Sequence, residues 1–274
     1  MSELATKYFE TALASIKRRD YEHAAAMLVE TIKLKPDFYE AWVVRGNCLA
    51  ASDRPFDALL NFERALAIND KLHDALNNMG IAFCDIGLFA SAEQSFRRSA
   101  ELNPAMEPHM GLANMYCTLN RLEEAAAEYR LAIEHDPTFA ESHFNLGITL
   151  LGMGKWKEGF EEYEWRWGNT PYPPRAFRAY PKWKGEDLNG KRIVLYPEQG
   201  YGDEIMALRF AHDIGRLYPD SGTIVQARTP MLRLAHSIRG TAQSKAGLVV
   251  RSIHDDLEPS PTLRPCSELR RSCQ

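Results

Sequence analysis

Residues 125–156 read AAAEYRLAIEHDPTFAESHFNLGITLLGMGKW. Small and large apolar residues recur here at helical spacing, and Pro137 divides the stretch in two. The same punctuation recurs along the chain. Pro36, Pro104, Pro137 and Pro171 are spaced 68, 33 and 34 residues apart, with Asp70 midway in the first interval. The period near 34 predicts five units, each long enough for two antiparallel helices.

Residues at matching positions agree with that register. Twelve residues before each unit's end stand Ala24, Ala58, Ala92, Ala125 and Gly159. Four residues later come Leu28, Phe62, Phe96, Tyr129 and Tyr163. The first helix of each unit carries Ala12, Gly46, Gly80, Ala113 and Gly147 at one position. Small residues let two helix backbones approach, and the rings fill the space between neighbouring pairs. The closing proline cannot continue a helix and turns the chain into the next unit. No single unit buries its apolar face, so stability comes from stacking.

On these residues residues 5–171 resemble the tetratricopeptide repeat family, with units at 5–38, 39–72, 73–105, 106–139 and 140–171. The resemblance implies a helical solenoid whose first helices line an inner groove that binds protein or peptide partners. Inner-face positions hold Asn47, Asn77, Asn78, Asn114 and Asn145. An asparagine amide both donates to and accepts from a peptide backbone. The set is similar to the asparagine ladder of O-linked N-acetylglucosamine transferases, with Val44 and Gly111 at two of its positions. Exposed asparagine is also simply tolerated on such helices.

Composition narrows the class. The chain has 274 residues, 45% hydrophobic and 26% charged, the proportions of a globular protein. Residues 1–168 hold 17 basic against 26 acidic residues, which argues against a nucleic-acid groove there. No run is long enough for a membrane span, and no signal peptide opens the chain. Five cysteines without a CxxC pair fit a reduced, cytoplasmic protein, with Cys48, Cys84 and Cys117 as small apolar fillers. No motif asks for a metal or cofactor.

The fifth unit departs from the others. Trp156, Phe160, Tyr163 and Trp167 form one apolar helix stripe, with Trp165 off it. These rings either cap the last repeat or join it to a second domain. A linker at 172–190 leads to the strand 192–196. The segment 197–203, PEQGYGD, reads as a glycine-containing loop, 204–218 as a helix and 222–226 as a strand. Thr229-Pro230 opens a second helix. This order is the start of a doubly wound parallel sheet.

The run from Trp156 to Ile238, with YEWRW and PKWKGEDLNGKRIVLYPEQGYGDEI, resembles bacterial proteins in which tetratricopeptide repeats precede a heptosyltransferase-like, two-Rossmann glycosyltransferase domain. That resemblance implies an acceptor-side loop with Gln199, Gly200 and Gly202, and Asp203 as the base that deprotonates an acceptor hydroxyl. Asp203 would equally serve as a helix N-cap, and the roles are compatible. Only 84 residues follow Gly190. The nucleotide-sugar half is absent, so residues 191–240 read as a vestigial, truncated fragment and 241–274 as a disordered tail with one strand signal at Leu248-Val249-Val250. The expected fold is mainly α: a five-repeat solenoid followed by a short Rossmann-like α/β fragment. The expected function is a scaffold that binds extended partner segments. The alternative is a glycosyltransferase using a nucleotide sugar.

Overall fold

A computed structural model describes residues 2–168, 183–195, 201–231, 233–234 and 248–252. The chain divides into two compact units, Met1–Asn169 and Thr170–Gln274.

The first unit is a row of ten helices in five pairs. They are α1 (Ser2–Lys17) with α2 (Tyr21–Leu34), α3 (Tyr39–Ala51) with α4 (Pro55–Ile68), and α5 (His73–Asp85) with α6 (Phe89–Leu102). Then come α7 (Met106–Thr118) with α8 (Leu122–His135), and α9 (Ala140–Gly152) with α10 (Trp156–Tyr163). Each second helix packs on its own partner and on the first helix of the next pair. The starts of α3, α5, α7 and α9 are offset by 34, 33 and 34 residues. The shorter step falls at Asn103-Pro104-Ala105.

The periodic residues build the core. Ala24, Ala58, Ala92 and Ala125 are wholly buried, and so are Leu28, Phe62, Phe96 and Tyr129. Burying one such large side chain stabilises the fold by about 1.5–3 kcal/mol. The glycines are fixed by these rings. A Cβ on Gly46 would lie 2.5 Å from the Phe62 ring, and one on Gly80 would lie 2.6 Å from the Phe96 ring. Neither ring can retreat in a close-packed core.

The turn inside each pair is the same five times. Arg19, Asp53, Gly87, Asn120 and Gly154 all take positive φ, between 55° and 76°. The next residue's N–H bonds back to a carbonyl five residues earlier: Asp20 to Ser15, Arg54 to Leu49, Leu88 to Phe83, Arg121 to Tyr116 and Lys155 to Leu150. This is the left-handed cap that closes a helix and reverses the chain.

The end of the row differs from the expected stripe. Helix α10 stops at Tyr163 and a 3-10 turn, Glu164–Trp167, follows. A 3-10 turn advances by about 120° per residue rather than about 100°. Trp165, expected off the stripe, therefore stacks on His143 at 4.0 Å and 7°. Trp156 and Phe160 are 63% and 58% exposed. In the interior pairs the residues matching Phe160 are Leu59, Glu93 and Ala126, of which Leu59 and Ala126 are buried.

The second unit contains β1 (Arg192–Leu195), α11 (Tyr201–Leu217), β2 (Gly222–Ala227) and β3 (Leu248–Ser252). The strands are parallel in the order β1-β2-β3. Leu208 and Ala211 of α11 pack on Val225 and Ala227 of β2. Two expectations are corrected. Gly202 and Asp203 lie in the first turn of α11, not in the preceding loop, so Asp203 is not an N-cap. Thr229–Met231 forms a 3-10 turn, and residues 233–234 after it are helical. Residues 248–252, inside the stretch expected to be disordered, form a full strand against β2. Among the described residues no helix is long and apolar enough to cross a membrane.

Candidate partner-binding face

The first helices α3, α5, α7 and α9 carry the five asparagines. Two of them meet. Asn78 on α5 donates from Nδ2 to Oδ1 of Asn47 on α3 at 2.8 Å. Asn47 is exposed and Asn78 half-buried, so this amide pair bridges two repeats at the surface. The remaining three are placed differently. Asn114 accepts the Tyr129 hydroxyl at 2.5 Å, so its carbonyl oxygen serves the fold. The Asn77 amide oxygen is buried without a hydrogen-bond partner among the described residues. Asn145 is half-buried on α9, where its backbone carbonyl accepts the Thr149 hydroxyl at 2.8 Å.

The two non-asparagine positions have unequal reasons. Val44 packs partly buried against the first core cluster. Gly111 faces the Phe96 ring so closely that any Cβ there would overlap it. Asparagine is sterically impossible at 111 while Phe96 holds its place.

Electrostatic ties knit neighbouring repeats. Between the third and fourth pairs, Tyr116 donates to Glu93 at 2.8 Å. Arg97 donates to the Tyr116 oxygen at 3.0 Å and to Glu93 at 2.9 Å. Arg121 lies 4.4 Å over the Tyr116 ring. The Tyr116 hydrogen bond, with Arg97 and Arg121, holds the Glu93 carboxyl below its ordinary value. Burial pushes the Tyr129 phenol and the Cys48 and Cys84 thiols up, which keeps them neutral. Cys48, Cys84 and Cys117 are free.

Sequence reasoning missed a second periodic set. His109 contacts Glu128 at 2.7 Å and His143 contacts Glu162 at 2.6 Å. The two pairs are 34 residues apart and each spans 19, a signal visible in the sequence. His143 also reaches the Pro137 carbonyl at 3.1 Å, as the Trp42 indole reaches that of Pro36 at 2.9 Å. Pro36 and Pro137 thus anchor the first helix that follows each of them through their carbonyls. Among the described residues no cluster could hold a metal ion. Gln199 and Gly200 lie outside the described residues. Gly202 and Asp203 are placed only as backbone of α11.

Family models and solved structures agree with this geometry. Residues 9–72 match a tetratricopeptide repeat model, and residues 113–154 match a TPR repeat model. Over those two stretches the helical row is built of tetratricopeptide repeats. Protein FlbA of Caulobacter vibrioides is 29% identical over 198 residues, 70% of this chain and 33% of that protein. Protein O-mannosyl-transferase TMTC3 of Homo sapiens is 25% identical over 206 residues, 73% of this chain and 21% of that protein. The chain therefore spans a fifth to a third of these curated relatives. The structure of MamA from residue 41, from Desulfovibrio magneticus RS-1, superposes with a TM-score of 0.55 at 19% identity, over 60% of this chain and 93% of that one. At that identity the likeness is one of fold.

Proposed function

We propose that this protein is an interaction scaffold whose tetratricopeptide solenoid holds extended segments of partner proteins along its first helices. One observation carries the reading: the Asn47–Asn78 pair presents amides of two adjacent repeats on one surface. Such amides can exchange their mutual bond for bonds to a partner's backbone, at about 0.5–1.5 kcal/mol each. Backbone recognition of this kind selects extended conformation more than sequence. The parallel strands β1 to β3, with α11 packed on β2, support an α/β second unit. The transferase alternative gains nothing further, because the loop proposed to hold substrate lies outside the described residues.

The test is a peptide-display selection on the full chain, followed by Asn47→Ala, Asn78→Ala and Asn145→Ala combined. Selected peptides should bind the triple variant at least tenfold more weakly, while its melting temperature stays within a few degrees. Unchanged peptide affinity would remove the asparagine face from the mechanism.

A further inference from the structure

One register position runs down the first helices in strict alternation. The residues there are Leu13, Asn47, Ile81, Asn114 and Ile148, spaced 34, 34, 33 and 34 apart, and all five are exposed. The three aliphatic ones are 39%, 47% and 48% exposed. This position offers an aliphatic surface and an amide by turns along the row.

A second row lies beside it. Seven residues earlier stand Glu40, Asp74, Glu107 and Glu141, each in the first turn of its helix, with Thr6 in the first repeat. Seven residues are close to two helical turns, so both rows share one face, about 10.5 Å apart along the helix axis. The Asn47–Asn78 pair shows that neighbouring first helices touch on this side.

Acids at helix starts suit the helix dipole. What separates these four is their pairing. On the second helices, Asp57 is held by Arg54 at 2.6 Å, Glu124 by Arg121 at 2.6 Å and Glu158 by Arg130 at 3.4 Å. Among the described residues no lysine or arginine lies within ion-pair distance of Glu40, Asp74, Glu107 or Glu141, and Asp74 contacts the His73 ring at 3.1 Å. With Asp85, helices α3, α5, α7 and α9 hold five acids against one arginine and no lysine. That arginine, Arg45, turns away to Asn61 of α4 at 2.8 Å. His109 and His143 are engaged by Glu128 and Glu162. The loops that lead into these helices add Lys35 and Lys71 against Asp37, Asp70 and Asp136. The face stays acidic with these neighbours counted.

We propose that this face takes an extended basic segment of a partner protein, with aliphatic side chains set about six residues apart. The proposal rests on the scaffold reading above and adds the partner's chemistry. Asparagines hold the segment's backbone, its lysines or arginines lean to the acidic row, and its aliphatic side chains cover Leu13, Ile81 and Ile148. The spacing follows from the repeat. Packed helices stand about 8–10 Å apart, so aliphatic positions two repeats apart are about 16–20 Å apart. An extended chain rising about 3.3 Å per residue covers that in about five or six residues, and six keeps the side chains on one side. Charge complementarity selects the partner. A nucleic acid or an acidic peptide would meet like charge along the whole row.

The test uses the full chain and a fluorescein-labelled 13-residue peptide, with fluorescence anisotropy as the readout. The peptide has Leu at its first, seventh and last positions, Lys at the even positions and Ser elsewhere. One control peptide has Gln in place of Lys, and a second has Ser in place of Leu. Saturable binding is expected for the lysine peptide, and at least about tenfold weaker binding for both controls. Glu40→Gln, Asp74→Asn, Glu107→Gln and Glu141→Gln combined should also cost at least about tenfold in affinity for the lysine peptide, with an unchanged circular dichroism spectrum. Glu63→Gln, Glu101→Gln, Glu134→Gln and Glu161→Gln combined remove the same charge from exposed positions of the second helices. That variant should bind the lysine peptide as the parent chain does. Absence of saturable binding, equal binding of either control peptide, full affinity in the first fourfold variant, or equal losses in the two would overturn the proposal. The scaffold reading is judged separately. Display-selected peptides of any charge that lose affinity for Asn47→Ala with Asn78→Ala would leave it standing.

Discussion

Tyr116 sits fully buried between Glu93, Arg97 and Arg121, and its hydroxyl is both a donor and an acceptor there. Removing only that oxygen, in Tyr116→Phe, should destabilise the chain by about 1–2 kcal/mol, because a bond to a charged group is lost. Urea unfolding measures it, and a change near zero would mean that the seam is solvated. The same site sets a pH dependence. The folded-state pKa of Glu93 is depressed, chiefly by Tyr116. A depressed carboxyl contributes stability that is present above its unfolded pKa and lost as pH falls through the folded value. Stability should therefore decline as pH drops below the ordinary value of 4.5, and Glu93→Gln should flatten that decline. Thermal melts from pH 6 to pH 3 test this, with parallel curves as the contrary result. Glycine gives the third residue-scale outcome. Gly46→Ala should cost about 1–3 kcal/mol, since the added methyl meets a ring that is fixed on every side.

At the scale of the helix pair, the left-handed turn is the most regular device in the array, and its residues are uneven. Gly87 and Gly154 adopt positive φ freely, Asp53 and Asn120 tolerate it, and Arg19 does so at a cost. Arg19→Gly should stabilise the chain by up to about 1 kcal/mol, an outcome that differential scanning calorimetry can check. A lower melting temperature would show that the Arg19 side chain contributes more than its backbone costs. The helix pairs themselves were legible because ring, small residue and turn repeat at one spacing, so each position was read several times over. What stayed hidden was whatever depends on orientation. Asn114 and Asn78 look alike in sequence, but one faces Tyr129 and the other faces Asn47. Trp165 was misplaced because the helix tightens after Tyr163, which no residue type announces.

Across the whole molecule, every pair in the array leans only on its neighbours, so stability is the sum of pair and interface contributions. A fragment of residues 1–168 should fold without the second unit, giving a strongly helical circular dichroism spectrum and one cooperative melt. A broad, non-cooperative melt would show that the second unit completes the fold. Phe96 joins the third and fourth pairs, since its ring lies over both Gly80 and Gly111. Phe96→Ala should cost about 3–5 kcal/mol, near the top of the range for any single residue here.

That same seam gives the array uneven mechanics. Where the repeat is one residue short, a ring wedged between two glycines and a four-residue charged clamp lie within one interface. A row of helices pulled from its ends behaves as springs in series, and the softest coils extend first. The outer pairs would yield while the middle stayed closed. A partner tugging on the groove would then meet a grip that slackens at its edges and holds at its centre.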